Sequence, residues 1–181
     1  AFNGTVRNLS LQSEEPCSVC GGTGRIQNAR CSVCRGRGTV PQIKRIEVKI
    51  PAGVKTGSRV RIAGKGNPGQ TGGSPGDLYL LVSVKPHDIF QRRDNDLYVD
   101  LKIPLTDAVL GGEAQVPTLK GTKLAVKIPP ETQNERSIRL KGQGMPRLNS
   151  TARGDLLVTV KVVLPTGLNE EEKKLFRRLR E

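Results

Sequence analysis

The chain has 181 residues, enough for one ordinary domain or two small ones with a real core. Thirty Lys and Arg against 17 Asp and Glu give a net charge of +13, yet 35% of the residues are hydrophobic, which excludes wholesale disorder. Aromatic residues are only 3%, Gly and Pro number 21 and 12, and the longest apolar run is 78–82, so short strands and turns are favoured and a membrane-spanning helix of ~20 residues is excluded.

In chain order, alternating Leu9 and Leu11 predict a strand, and Ile46, Val48 and Ile50 resume the pattern beyond a segment that holds all four cysteines. Val48-Lys49-Ile50-Pro51 then returns as Val126-Lys127-Ile128-Pro129. The same offset of 78 carries Gly64-Lys65-Gly66-Asn67-Pro68 onto Gly142-Gln143-Gly144-Met145-Pro146, and Gly76-Asp77-Leu78 onto Gly154-Asp155-Leu156. Over 48–86 against 126–164, 13 of 39 positions match without a gap, on turns and alternating apolar sites, so one β-rich unit is present twice. Each copy reads as a strand, a turn, a second strand (59–62, 137–140), a Gly/Pro loop and a third strand led by Gly-Asp-Leu. Ahead of the second copy, 108–113 parallels the first residues of the chain at an offset of 107. The two offsets differ by 29, so about 29 extra residues sit inside the first copy, and they contain the cysteines. At the end, Asn169 followed by Glu170, Glu171 and Glu172 predicts a helix start, with Leu175, Phe176 and Leu179 as its apolar stripe and Arg177, Arg178 and Arg180 in its last turn. The expected organisation is a discontinuous β domain over 1–12 and 41–90, a zinc-binding insertion over 13–40, a second β domain over 91–165 and a terminal helix within 166–181.

Cys17-Ser18-Val19-Cys20 and Cys31-Ser32-Val33-Cys34 are two C-x2-C pairs ten residues apart, each running on into Gly-x-Gly as Gly22/Gly24 and Gly36/Gly38. Four thiolates in two tight knuckles suit one tetrahedral zinc ion, and the glycines let each backbone turn back so that N–H groups face the sulfurs. A closed ligand set points to a metal that folds its segment rather than one that catalyses; a disulfide framework is the competing reading. The window 25–65 holds eleven basic residues and one acidic residue, Glu47. Such a patch suits phosphate or an acidic partner, and equally a solvated face beside an anionic metal centre.

Other constellations resemble chemistry less well. His87, the single histidine, reads as a turn residue rather than a catalytic base; Asp94, Asp96 and Asp100 read as part of a hairpin; and the glycine-rich 64–69 reads as a sheet turn, since no Gly-Lys-Ser/Thr follows. The alternations at Leu9/Leu11 and Ile46/Val48/Ile50 are compatible with core packing. They also suit a shallow apolar groove at a sheet edge that accepts an extended peptide.

The two Cys-x-x-Cys-x-Gly-x-Gly repeats, Ile50-Pro51-Ala52-Gly53 with Gly57, Gly76-Asp77-Leu78-Tyr79, Lys85-Pro86-His87 through Phe90, Asp96-Leu97, Gly111-Gly112-Glu113, Val116-Pro117-Thr118-Leu119 and Gly142-Gln143-Gly144-Met145-Pro146 run in order along the chain. In this the chain resembles the C-terminal, client-binding region of DnaJ-type co-chaperones. The resemblance implies a mostly β fold of two tandem β-sandwich-like domains, zinc in the first, and a C-terminal end that serves a homodimer in the full-length protein. It implies a non-enzymatic function: holding unfolded client polypeptides against aggregation and delivering them to the DnaK-type heat-shock chaperone. By the same resemblance the client groove falls on Leu9, Leu11, Ile46 and Phe90, with Val48 a neighbour by alternation. Two departures stand out. Family members with this module usually carry four repeats and two zincs, whereas two repeats are present here, spaced like the last two; and no J-domain His-Pro-Asp signature occurs.

The alternative function is a zinc-stabilised nucleic-acid-binding protein using the basic face between 25 and 65, whose affinity would fall steeply with salt. The absence of any aromatic residue between Phe2 and Tyr79 leaves that face without a base-stacking platform. Reduced cysteine pairs suit a cytoplasm or a reducing organelle interior. The opening Ala1-Phe2-Asn3-Gly4, with Met145 the single methionine, points to a fragment or processed form.

Overall fold

The computed structural model describes residues 1–67, 74–148 and 150–180, so positions 68 and 69 of the glycine-rich turn lie outside the described residues. The fold is mostly β and divides into two compact units, Ala1–Lys85 and Pro86–Glu181. In the first, β1 (Thr5–Pro16) pairs antiparallel with β4 (Thr39–Ile50) along their whole length, from Thr5 opposite Ile50 to Pro16 opposite Thr39. The ladder thus continues past residue 12, and the segment between the strands is 17–38, which carries the two-residue strands β2 (Arg25–Ile26) and β3 (Ala29–Arg30). A separate hairpin joins β5 (Arg59–Ile62) to β6 (Leu78–Leu81).

The second unit begins with β7 (Gln91–Arg93) and β8 (Asp96–Pro104), joined by a two-residue turn in which Asp94 takes φ 53°. After α1 (Leu105–Leu110) come the paired strands β9 (Gly112–Pro117) and β10 (Lys123–Ile128), then β11 (Ser137–Leu140) and β12 (Leu156–Val163). The larger sheet runs β11-β12-β8-β7, with β12 parallel to β8. Its core is built by alternation: Leu97, Val99, Leu101 and Ile103 of β8 are buried opposite Leu156, Val158 and Val160 of β12, the last three at 0% exposure. Val116, Val126 and Ile128 of the β9–β10 pair are buried as well.

The duplication is present in the hydrogen-bonding register. Thr5 opposite Ile50 becomes Gly112 opposite Ile128, and Ile62 opposite Leu78 becomes Leu140 opposite Leu156. The turns repeat too. Gly64 N–H donates to Asp77 Oδ1 (3.0 Å) and Arg61 Nε to Asp77 Oδ2 (2.6 Å); Gly142 N–H donates to Asp155 Oδ1 (2.8 Å) and Arg139 Nε to Asp155 Oδ2 (2.5 Å). Gly53 and Gly57, at φ 88° and 87°, correspond at the offset of 78 to Glu131 and Glu135, which hold φ 58° and 65°.

Helix α2 (Glu170–Arg180) starts with a reciprocal cap: Glu172 N–H donates to Asn169 Oδ1 and Asn169 N–H to Glu172 Oε2, both at 2.8 Å. Its residues Leu175, Phe176 and Leu179 are exposed. Helix α1 is an addition to the single helix expected from sequence. It has six residues, begins after Pro104 with no side-chain cap and ends at Gly111 with φ 80°, so it is too short to show a helical stripe. Among the described residues no helix is long and apolar enough to cross a membrane.

The N–H of Gly64 holds the Asp77 carboxyl below its ordinary value, aided by Arg61 against an opposing effect of burial; the N–H of Gly142 and then Arg139 do the same for Asp155. Groups with lowered folded values contribute stability that is fully present above the unfolded carboxylate value of about 4 and is lost as pH falls through the folded values. Asp155→Asn is therefore expected to lower the melting temperature at neutral pH and to flatten its decline below pH ~4. Thermal melts in that range test this, and an acid slope unchanged by the mutation would rule the carboxylate out.

Candidate functional site

The β1–β4 ladder ends where Cys17 N–H donates to Gly38 O at 2.8 Å, and the two cysteine pairs then fold as near copies of each other. Thr23 N–H returns to Cys20 O (3.2 Å) and Arg37 N–H to Cys34 O (3.1 Å), while Cys31 N–H donates to Gly24 O at 2.9 Å. Each knuckle aims one more amide at sulfur: Gly24 N–H donates to Cys20 Sγ and Gly38 N–H to Cys34 Sγ, both at 3.3 Å. Only glycine suits these two positions. Their φ values are +76° and +78°, and an added Cβ would stand 2.6 Å from Gly36 O or 2.3 Å from Gly22 O.

All four sulfurs lie within 4.8 Å of one another, with Cys17 and Cys31 separated by 3.8 Å and Cys20 and Cys34 by 3.7 Å. A tetrahedron with metal–sulfur bonds of about 2.3 Å has edges of ~3.8 Å, so the set fits a four-thiolate ion, whereas a disulfide needs its sulfurs about 2 Å apart. The cysteines are free, with Cys17, Cys31 and Cys34 buried and Cys20 half-buried. Burial opposes ionisation of Cys20, yet the N–H groups of Gly24 and Gly22 and the thiols of Cys34 and Cys17 together bring its thiol down to about 6. Cys31 is shifted upward: the N–H of Cys34 favours its thiolate, but burial and the thiols of Cys34 and Cys17 outweigh it. Metal binding must displace these protons.

Below the tip, one face of the ribbon gathers an apolar strip flanked by charged residues. Residues opposite each other across an antiparallel pair share a face, so Leu9 with Ile46, Arg7 with Val48 and Leu11 with Lys44 point the same way. The ribbon thereby brings together four of the five groove residues expected from sequence. Val48 and Ile46 are buried at 2% and 8% exposure, whereas Leu9 and Leu11 are half-buried. The fifth, Phe90, belongs to the second unit, where it is buried with its ring 5.2 Å from that of His87. His87 Nδ1 accepts the N–H groups of Ile89 (3.2 Å) and Phe90 (3.4 Å), which occupies it in holding a turn. Nearer the tip, Thr39 donates to Glu14 and Lys44 pairs with Glu15. Sequence reasoning missed these cross-strand pairs, which become apparent only once the register is known.

The duplicated β unit thus carries, in its first copy, four cysteines able to hold a metal ion at the tip of a long two-stranded ribbon. The chain belongs to the DnaJ family: the model of the DnaJ C terminal domain matches residues 1–165. It is similar to the chaperone protein DnaJ of Brucella anthropi, at 43% identity over 163 residues that cover 90% of this chain and 43% of that protein. Similar too are chaperone protein DnaJ 2 of Aquifex aeolicus, 45% identical over 202 residues (91% and 54% covered), and chaperone protein DnaJ of Pelagibacter ubique, 42% identical over 168 residues (93% and 45% covered). The chain spans about half the length of the curated relatives it matches.

Gly38→Ala, which removes the room needed beside Gly22 O and disturbs an N–H aimed at Cys34, is expected to weaken metal binding about ten- to a hundredfold. Competition against a chromophoric chelator measures this; affinity equal to wild type would show that the knuckle does not depend on that approach.

Proposed function

We propose that the chain is the client-binding part of a DnaJ-type co-chaperone, holding extended apolar segments of unfolded polypeptides on the β1–β4 ribbon. The observation that carries this reading is the gathering of Leu9, Leu11, Ile46 and Val48 on one ribbon face, with both leucines still half-exposed. Apolar side chains of a client gain by covering that strip, while a ribbon edge that, among the described residues, pairs with no further strand supplies main-chain hydrogen bonds indifferent to client sequence. Binding of this kind is weak and carries a negative heat-capacity change. The chaperone names of the relatives support the same reading; delivery of clients to a DnaK-type chaperone and pairing of two copies in the full-length protein are the further parts of the proposal, carried by the family resemblance.

The metal in this reading is one zinc ion held by Cys17, Cys20, Cys31 and Cys34. All-sulfur tetrahedral coordination favours zinc over oxygen-seeking divalent ions. When bound, it fixes the 17–38 segment, which has no apolar core beyond the cysteines with Val40 packed against them. Elemental analysis of protein purified without added metal is expected to give one zinc per chain; a second equivalent, or none after purification under reducing conditions, would contradict this assignment.

The client site is tested by suppression of aggregation of an unfolded model protein. Leu9→Ser/Leu11→Ser is expected to abolish protection, and wild-type protection is expected to persist at ~0.5 M salt, where surface charge is screened within a few ångströms. Protection that disappears in salt and ignores the double mutation would transfer the function to the basic face of 25–65.

A further inference from the structure

The tip of the ribbon concentrates positive charge with no opposing side chain. Segment 17–38 contains four basic residues, Arg25, Arg30, Arg35 and Arg37, all exposed, and no acidic residue. None of the four has an ion-pair partner among the described residues, and the two acids at the end of β1 are engaged elsewhere, Glu14 by Thr39 and Glu15 by Lys44. Four thiolates around a divalent ion carry a net −2 against the +4 of the arginines, so the metal centre does not balance them.

The backbone crowds these charges together. Arg25 stands directly opposite Arg30 in the β2–β3 pair, so two like charges share one face with their Cβ atoms about 5 Å apart. Arg35 takes φ 53°, a left-handed backbone that disfavours a Cβ, at the place where the first knuckle has Gly21 with φ 62°. Arg37 stands where the first knuckle has Thr23, whose hydroxyl braces its turn by donating to Cys20 O at 2.7 Å. The stem of Arg30 runs beside Gly36, between Arg35 and Arg37: a Cβ built on Gly36 would lie 3.8 Å from Arg30 Cγ and Cδ. These placements cost the folded segment stability, a cost that a bound anion offsets.

We propose that Arg25, Arg30, Arg35 and Arg37 form a binding site for a free oligophosphate, a ligand of several phosphate groups linked in a row. The positive charge of the segment is entirely arginine, and a planar guanidinium takes two phosphate oxygens at once, whereas lysine would serve equally well for solubility. A lone phosphate presents too few oxygens for four such forks. A bilayer surface fits less well, because the apolar pair of the hairpin, Ile26 opposite Ala29, lies on the face away from Arg25 and Arg30. A nucleic acid would find no aromatic platform for its bases, since none occurs between Phe2 and Tyr79. The site belongs to the cysteine segment and is independent of the client strip on the ribbon face.

The probe is tripolyphosphate titrated into the whole chain by calorimetry, with metal content measured on the same samples. Wild type is expected to bind it, to keep its metal and to lose affinity as salt rises. Arg35→Gly/Arg37→Thr gives the second knuckle the residues of the first, and is expected to retain metal and melting temperature yet weaken binding about tenfold or more. Arg25→Gln/Arg30→Gln is expected to do the same from the other side of the cluster. Lys123→Gln/Lys127→Gln, an equal loss of charge at exposed positions of β10, is expected to leave binding unchanged. Equal weakening by the β10 variant would mean general attraction to a chain of net charge +13 and would overturn the proposal. Full affinity in both arginine variants, no binding at millimolar tripolyphosphate, or heat that tracks loss of metal would overturn it too. So would binding of phosphatidylglycerol vesicles or of a single-stranded oligonucleotide without binding of tripolyphosphate.

Discussion

The register of the β1–β4 ladder is the constraint on which the first unit depends. With Leu9 opposite Ile46, the residues Leu9, Leu11, Ile46 and Val48 share a face and Cys17 arrives opposite Gly38 at the tip. A slip of one residue on either strand would turn its apolar set to the other face and bring the knuckle out of closure. Several local features pin the register: the Cys17–Gly38 hydrogen bond, the Thr39–Glu14 contact and the Lys44–Glu15 pair. The exposed ion pair counts less for energy than for orientation.

The second copy shows what the same ladder becomes without a metal tip. Its β9–β10 pair stops at Pro117 opposite Lys123, and the turn beyond is closed by Thr118, whose hydroxyl meets both Thr122 O and Thr122 Oγ1 at 2.9 Å. Thr118 stands where the offset of 107 puts Leu11, and it is buried at 6% exposure. One copy thus closes its ribbon with a short polar hairpin, while the other extends it and presents leucine at the corresponding place. A common framework serves structure in one unit and offers an apolar surface in the other.

Much of this was legible in the residues. Two offsets, 78 and 107, were enough to locate corresponding strands, and the pairing reproduces both. The cysteine spacing announced a four-sulfur site because thiolate geometry is local: each C-x2-C knuckle is made within a few residues. The Asn169–Glu172 cap was readable for the same reason. What escaped were features decided at a distance or too short to have a period. The parallel pairing of β12 with β8 joins residues far apart in sequence and has no local signature. Helix α1 is shorter than two helical turns. The assignment of Phe90 and Leu9 to different units is a property of tertiary contacts that alternation does not encode.

Glu131 and Glu135 occupy left-handed backbone positions that the first copy fills with Gly53 and Gly57. Such a conformation costs a residue with a Cβ roughly 1–2 kcal/mol. The same backbone ties hold the conformation in both units: Glu131 N–H donates to Val109 O (3.0 Å) and Glu135 N–H to Val160 O (2.8 Å), as Gly53 N–H donates to Ala1 O (2.9 Å) and Gly57 N–H to Val82 O (2.8 Å). The first unit, built of two-stranded pieces, keeps glycine at both places. A side chain other than glycine at position 53 or 57 would meet the same left-handed requirement, so substitution there carries that conformational cost in the half that bears the knuckle.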